Sequence, residues 1–208
     1  MAEEQFAHGL QHAAQIVPII DRLTRARGWT PQDLDELYVS VGPGSFTGLR
    51  IAVTLAKTLA MATGVKLVAV PTVRVLVENA PPEARHVIIV LDAKREQIFT
   101  ARFERVGDER IEHEPAKLDS LAAMLARAPR PVHLLGEGIP YHEKFIPRDD
   151  PSIIVAPPER SRARAAVVAT IGHAMARRGE FADPKRLTPI YIRRPEAEEK
   201  FLARVASP

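Results

Sequence analysis

Between Val41 and Ala62 the chain reads VGPGSFTGLRIAVTLAKTLAMA, and this stretch restricts the fold more than any other. The apolar run Leu37–Val41 before it predicts a buried strand. Gly42, Pro43 and Gly44 break that strand, Ser45 or Thr47 caps a helix that runs to Thr63, and Gly64 stops it. Strand, glycine turn and capped helix aim free backbone N–H groups at one point, which suits an anion. Gly42, Gly44 and Ser45 are therefore candidate anion or nucleotide contacts, although a tight turn accounts for the same glycines.

The circumference of helix 47–63 carries a second message. Arg50, Thr54 and Lys57 form one narrow polar stripe, Ala52, Ala56 and Ala60 line one flank, and Ile51, Leu55, Leu59 and Ala62 line another. A surface helix buries a single face, whereas this one is apolar over most of its girth. It therefore calls for its own sheet on one side and a neighbouring helix on the other, with alanines permitting close approach.

Composition removes several classes of function. The chain has 208 residues, enough for one large domain or two small ones. It has no cysteine, which excludes disulfides, thiolate nucleophiles and cysteine zinc sites. No apolar run is long enough to span a bilayer, and the acidic start is not a signal peptide, so a soluble, cytoplasmic protein without a membrane partner is expected. The net charge of +3 is spread along the chain and does not argue for nucleic-acid binding.

Taken in order, residues 3–27 read as a long amphipathic helix with Leu10, Ala13 and Val17 near one face, interrupted by Pro18 and ended by Gly28. After helix 47–63 come a strand at Lys66–Val70 and a helix at Thr72–Asn79, and Pro81-Pro82 closes the segment. The remainder predicts strands at His86–Leu91 and Gln97–Phe103 around a polar turn Asp92–Glu96, and a weak strand at Arg110–Glu114. A helix capped by Asp119 runs to Arg127, followed by a strand at Val132–Leu135 that ends in Gly136-Glu137-Gly138. A brief helix Tyr141–Phe145, a strand Ser152–Val155, a long helix capped by Ser161 and a charged tail complete the chain. The domain expectation is 1–82, then 83–190, then a tail 191–208. The halves rhyme: the first matches the last five elements of the second and lacks three opening strands, which suggests an internal duplication.

The block Val41-Gly42-Pro43-Gly44-Ser45-Phe46-Thr47-Gly48-Leu49-Arg50 resembles the TsaB family, also called YeaZ. HAAQIVP at His12–Pro18, LVAVP at Leu67–Pro71, LDAKRE at Leu91–Glu96 and PIYIR at Pro189–Arg193 resemble other family blocks in the same order. The resemblance implies an α/β protein with a duplicated actin-like ATPase fold. It also implies a non-catalytic subunit of the machinery that makes N6-threonylcarbamoyladenosine at position 37 of tRNAs reading codons that begin with A. The implied partners are the catalytic paralogue TsaD and the ATPase TsaE, with tRNA reached through the assembled complex and a homodimer as an alternative pairing. TsaC or its relative supplies the threonylcarbamoyl-adenylate. No cofactor of its own is implied, although ATP or ADP can sit at the complex interface. The paralogue's metal-binding His-x-x-x-His pair falls on Thr72 and Leu76 here, and leucine cannot ligate a metal. Nothing in Met1–Gly28 matches the family's opening strand and phosphate turn, so the first domain is expected to be N-terminally shortened, with the genuine start upstream.

Other patterns carry less. The glycine block is not a Walker A loop, a dinucleotide fingerprint or a nucleophile elbow. His8 and His12 have metal-compatible spacing but no third ligand. Asp92, beside Lys94, Arg95 and Glu96, occupies a turn that in actin-like folds can touch phosphate, and Gly136-Glu137-Gly138 stands where such folds hold adenosine; a solvated turn and an ordinary strand exit are the plain alternatives. Arg193, Arg194, Lys200 and Arg204 are interleaved with glutamates, which favours a solvated tail. The leading expectation is a scaffold that buries Leu10, Ala13, Val17, Ile51, Leu55, Ala56, Leu59 and Ala62 against a partner, with Ala56→Arg expected to abolish pairing. A stand-alone actin-like phosphotransferase is the alternative, and a metal-dependent peptidase is disfavoured by Thr72 and Leu76.

Overall fold

A computed structural model describes residues 2–4 and 12–193 of the chain. It divides into two compact units, one made of residues 1–75 and 163–189, the other of 76–162 and 190–208.

The first unit is a two-stranded parallel sheet between helices. β1 (Glu36–Ser40) pairs with β2 (Lys66–Val70), connected by α2 (Phe46–Thr63). Ser45 caps α2 by accepting a hydrogen bond from the Gly48 amide, and Gly64 ends it in the left-handed conformation. The pleat sends alternate side chains to opposite faces. Leu37, Val39, Leu67 and Ala69 meet Val53, Ala56 and Ala60 of α2. Tyr38, Val68 and Val70 meet Val167, Val168, Ile171, Met175 and Ala176 of a helix from far along the chain, α6 (Ala165–Arg177). Each strand is thereby covered on both sides, as a parallel sheet requires. Gly172 lies on the Tyr38 ring so closely that an added Cβ would stand 2.5 Å from Tyr38 Cγ. α1 (His12–Arg25), with Pro18 inside it, packs mainly against α2. Just past α6, the Ala182 amide donates to the Leu67 carbonyl at the edge of β2. α3 (Thr72–Val77) crosses the boundary between the units.

The second unit is a five-stranded mixed sheet of order β5-β4-β3-β6-β7. β3 (His86–Asp92), β4 (Ile98–Val106) and β5 (Glu109–Asp119) are antiparallel, whereas β6 (Val132–Leu135) and β7 (Ile153–Val155) run parallel to β3. α4 (Leu121–Arg127) covers one face, burying Leu121, Met124 and Leu125 with Ile88, Val90, Ile98, Val132 and Leu134.

Several expectations change here. α6 belongs to the first unit, not to a contiguous domain 83–190, because its apolar face seats on Tyr38, Val68 and Val70. Its start is Ala165, and Ser161 ends a short 3-10 turn instead of capping it. Ser120, not Asp119, caps α4 by accepting from the Ala123 amide. Glu3 is not helical, and the predicted helix 3–27 is replaced among the described residues by α1. The weak strand at Arg110–Glu114 is an eleven-residue strand, β5. Glu114 on it gathers three cations: Arg102 of β4 and Arg127 of α4 donate to it at 3.0 Å, and Lys117 of the same strand does so at 2.8 Å.

Burial pushes the Glu114 carboxyl up, but those three cations outweigh it and hold it at about 2 against an ordinary 4.5. A depressed carboxylate contributes stability that is full above its unfolded value and is lost as pH falls toward the folded one. The second unit should therefore lose melting temperature between pH 4.5 and about 2. Glu114→Gln should start lower at neutral pH and flatten that decline, which calorimetry across the range would show.

Candidate functional site

The outward side of α2 is the first candidate. Val53, Ala56 and Ala60 point into the first unit's core, while Thr54, Thr58, Met61 and Ala62 form an exposed stripe at helical spacing. Ile51, Leu55 and Leu59 flank it half-buried. Met61 is 64% exposed, and on α1 Val17 is 54% exposed. The structure corrects Ala56: at 3% exposure it packs under the sheet with Val39 and Leu67 and cannot meet a partner. Lys57 leaves the polar stripe as well, since its Nζ donates to the Leu187 carbonyl at 2.9 Å. Leu10 and the side chain of Ala13 lie outside the described residues, as do His8, the ring of His12 and the tail from residue 194.

The glycine turn of the first unit is tied down internally. The Gly42 amide donates to Thr72 Oγ1 at 3.0 Å, the Thr72 amide donates to the Gly42 carbonyl at 2.8 Å, and Ser40 Oγ lies 2.8 Å from Thr72 Oγ1. Gly42 has φ 110°, a conformation that requires glycine. Thr72 thus staples the turn across the two strands, while Leu76 is buried at 2% exposure. Ser45 Oγ is engaged as the cap of α2. Among the described residues no three His, Cys, Asp or Glu side chains are placed to hold a metal ion.

Asp92 lies in the second unit, at the end of β3. Its Oδ2 is 2.7 Å from Lys94 Nζ, and its Oδ1 accepts from the Lys94 amide at 3.0 Å and contacts His142 Nε2 at 3.2 Å. Burial alone would raise this carboxyl, but the hydrogen bonds from Lys94 and His142 bring it below the ordinary value. An ionised carboxylate only accepts, so His142 Nε2 carries the hydrogen. His142 ends α5 (Ile139–His142), is itself buried, and leaves Nδ1 without a hydrogen-bond partner. Lys94, Arg95 and Glu96 are all left-handed, Lys144 pairs with Glu96, and Arg193 donates to the Ala93 carbonyl at 2.8 Å.

The strand exit Gly136-Glu137-Gly138 is pressed against β3. A Cβ on Gly136, at φ 135°, would stand 2.1 Å from the Val90 carbonyl oxygen, and one on Gly138 would stand 2.5 Å from the Asp92 nitrogen. The Gly136 amide donates to Ser161 Oγ at 3.1 Å. Sequence reasoning missed His142 and Ser161. Their partners lie 50 and 25 residues away, and no local pattern marks either contact.

Over residues 8–151 the chain matches the family described as TsaD: tRNA N6-adenosine threonylcarbamoyltransferase. It is 29% identical over 197 residues to the tRNA threonylcarbamoyladenosine biosynthesis protein TsaB of Bacillus subtilis, a match that spans 92% of this chain and 83% of that one. The chain belongs to the TsaD family, on its TsaB/YeaZ branch. The Escherichia coli TsaB is 28% identical over 97 residues, 46% of this chain and 42% of that one. YeaZ from Pseudomonas aeruginosa shares the fold, with TM-score 0.73, 21% identity, and coverage of 89% of this chain and 86% of that one. A second Pseudomonas aeruginosa structure, described as an uncharacterized protein with similarity to peptidase YEAZ, gives TM-score 0.72 at 22% identity, covering 88% and 84%. The TsaB/YeaZ assignment accords with an α/β fold of the actin-like kind. Among the described residues of this TsaB/YeaZ chain, no helix is long and apolar enough to cross a membrane.

Proposed function

We propose that the chain takes part in making N6-threonylcarbamoyladenosine at position 37 of tRNAs reading codons that begin with A, as a non-catalytic docking subunit. Its fold is read as a duplication, the second unit carrying all five strands and the first only the last two. The observation that carries the docking role is the outward side of α2, where Met61 and Ala62 stand exposed between half-buried Leu55 and Leu59. Apolar groups held in this way on a rigid helix fit a helix-to-helix interface. TsaD is the partner proposed for this face, with TsaE joining the pair and tRNA bound by the assembly.

The absence of catalysis by this subunit is supported by how its polar groups are spent. Thr72 is stapled to the glycine turn, Leu76 is buried, and both Asp92 oxygens are engaged by Lys94 and His142. Any ATP or ADP is proposed to sit at the assembled interface, and the proposed location is the cytoplasm.

Met61→Asp tests the docking face. An exposed side chain can take the charge without unfolding the unit, so the melting temperature should hold within a few degrees. Affinity for TsaD should fall at least about tenfold, the typical cost of burying an unpaired charge in an interface. Unchanged co-elution with TsaD would remove this face from the interface.

A further inference from the structure

Two histidines stand at one end of the second unit's sheet, one on each face. His86 is the first residue of β3 and His133 the second of β6. In the parallel register His86 lies beside Val132, and Val87 beside His133. Neighbours along a strand point to opposite faces. His86 therefore shares the α4 face with Ile88 and Val132, and His133 shares the other face with Val87 and Ile89. Both imidazoles are buried, and each leaves Nδ1 without a hydrogen-bond partner. His113 and His142 of the same unit reach a carboxylate, Glu104 at 3.0 Å and Asp92 at 3.2 Å. Among the described residues His86 and His133 make no such pair.

The segment that leads from α3 into β3, residues 81–85, is strapped to this end. Arg110 Nη2 donates to the Pro81 carbonyl at 2.8 Å, and Nη1 donates to the Ala84 carbonyl. The Arg105 guanidinium donates to the Pro82 carbonyl, and the Arg105 amide to the Arg85 carbonyl at 2.8 Å. Ala84 is fully buried.

The charges around the two rings do little to welcome a proton. Glu104, across from His86 on β4, favours an imidazolium there, whereas Arg85, Arg102 and His113 oppose it. The Glu104 carboxylate is already engaged by Arg85 at 2.9 Å and by His113. Around His133 Glu83 favours the proton and Arg110 opposes it, while Val87 and Ile154 on the adjoining strands are apolar. An imidazolium carries a hydrogen on both nitrogens, so at each site an Nδ1 hydrogen would be sealed in with no protein acceptor.

We infer that residues 81–85 are an acid-released latch on the second unit: when His86 and His133 take up protons, the segment lifts and the leading ends of β3 and β6 open to water. A proton on His133 adds positive charge beside Arg110, the side chain that ties down Pro81 and Ala84. Burial is the largest influence on both imidazoles and holds both below the ordinary 6.5. The opened chain then binds more protons than the closed one, so the latch is at full strength above pH 6.5 and weakens as pH falls below it. The opposite end of β3 has its own ties, since the Gly138 amide donates to the Val90 carbonyl at 3.0 Å and the Ala93 amide to the Gln97 carbonyl at 2.9 Å. The opening is therefore local. It is independent of the docking role, which concerns the first unit.

NMR hydrogen exchange on the 208-residue chain tests the latch, from about pH 7.5 down to about pH 5, above the range in which carboxylates titrate. The protection factors of the Ala84 and Arg105 amides, bonded to the Pro81 and Arg85 carbonyls, should fall at least about tenfold, the effect of one unit of lowering at a single imidazole. Those of Ala93 and Gly138 should hold. The double variant His86→Leu, His133→Leu should keep its Ala84 and Arg105 protection through the same range; it retains His113, so a loss that persists would belong to another group and overturn the inference. The imidazole resonances of the unaltered chain read the event without any variant: His86 and His133 should shift only where Ala84 and Arg105 lose protection. Rings that titrate while protection holds, protection that does not change with pH, or an equal loss at Ala93 and Gly138 would each overturn it.

Discussion

Gly136→Ala is expected to leave the second unit without a stable fold. The left-handed turn at φ 135° is open to glycine alone, and the added carbon would stand 2.1 Å from the Val90 carbonyl oxygen. That oxygen is backbone in the middle of β3 and already accepts from the Gly138 amide, so it cannot step aside without breaking the sheet. Strain and steric overlap together should cost roughly 3 kcal/mol or more. Loss of exchange protection over β3 and β6 would show it. A native-like melting curve for this variant would mean that the strand exit relaxes far more easily than its packing indicates.

Ala56→Arg should have a comparable effect on the first unit, and for a reason opposite to docking. Ala56 sits between α2 and the sheet, in contact with the cluster of Val39, Val53 and Leu67. A guanidinium forced there would be buried without a counter-charge, at a cost of roughly 3–5 kcal/mol. Loss of partner binding by this variant would then report unfolding. Circular dichroism separates the two cases: Ala56→Arg should lose helical signal on mild heating, whereas Met61→Asp should not.

The contrast between these two positions shows what could be read from residues alone. The small residues at four-residue spacing on α2 were visible, as was the strand, glycine turn and cap before it, because each is a local pattern. Which flank faced inward was not visible, since that depends on where β1 and β2 place Val39 and Leu67. Likewise the apolar runs of β3, β4 and β6 stood out, but β5 was read too short. Polar residues stand on both of its faces, made stable by the gathering of cations around Glu114, of which Arg102 on β4 and Arg127 on α4 are partners that a single strand does not disclose. The candidate site divided in the same way. Gly42, Gly44 and Asp92 were legible as turn residues, while the Thr72 staple and the His142 contact to Asp92 join residues 30 and 50 positions apart.

The route of α6 has a consequence for how the protein is made. A ribosome delivers the chain from one end, so β1, α2 and β2 emerge long before residues 163–189, which belong to the same unit. Until then Tyr38, Val68 and Val70 have no α6 to cover them. β3 to β7 become available in that interval, so the later-encoded body can consolidate while the earlier one waits, bare on one face and exposed to aggregation or chaperone capture. For the same reason an excised fragment 1–82 omits the helix that closes its own sheet.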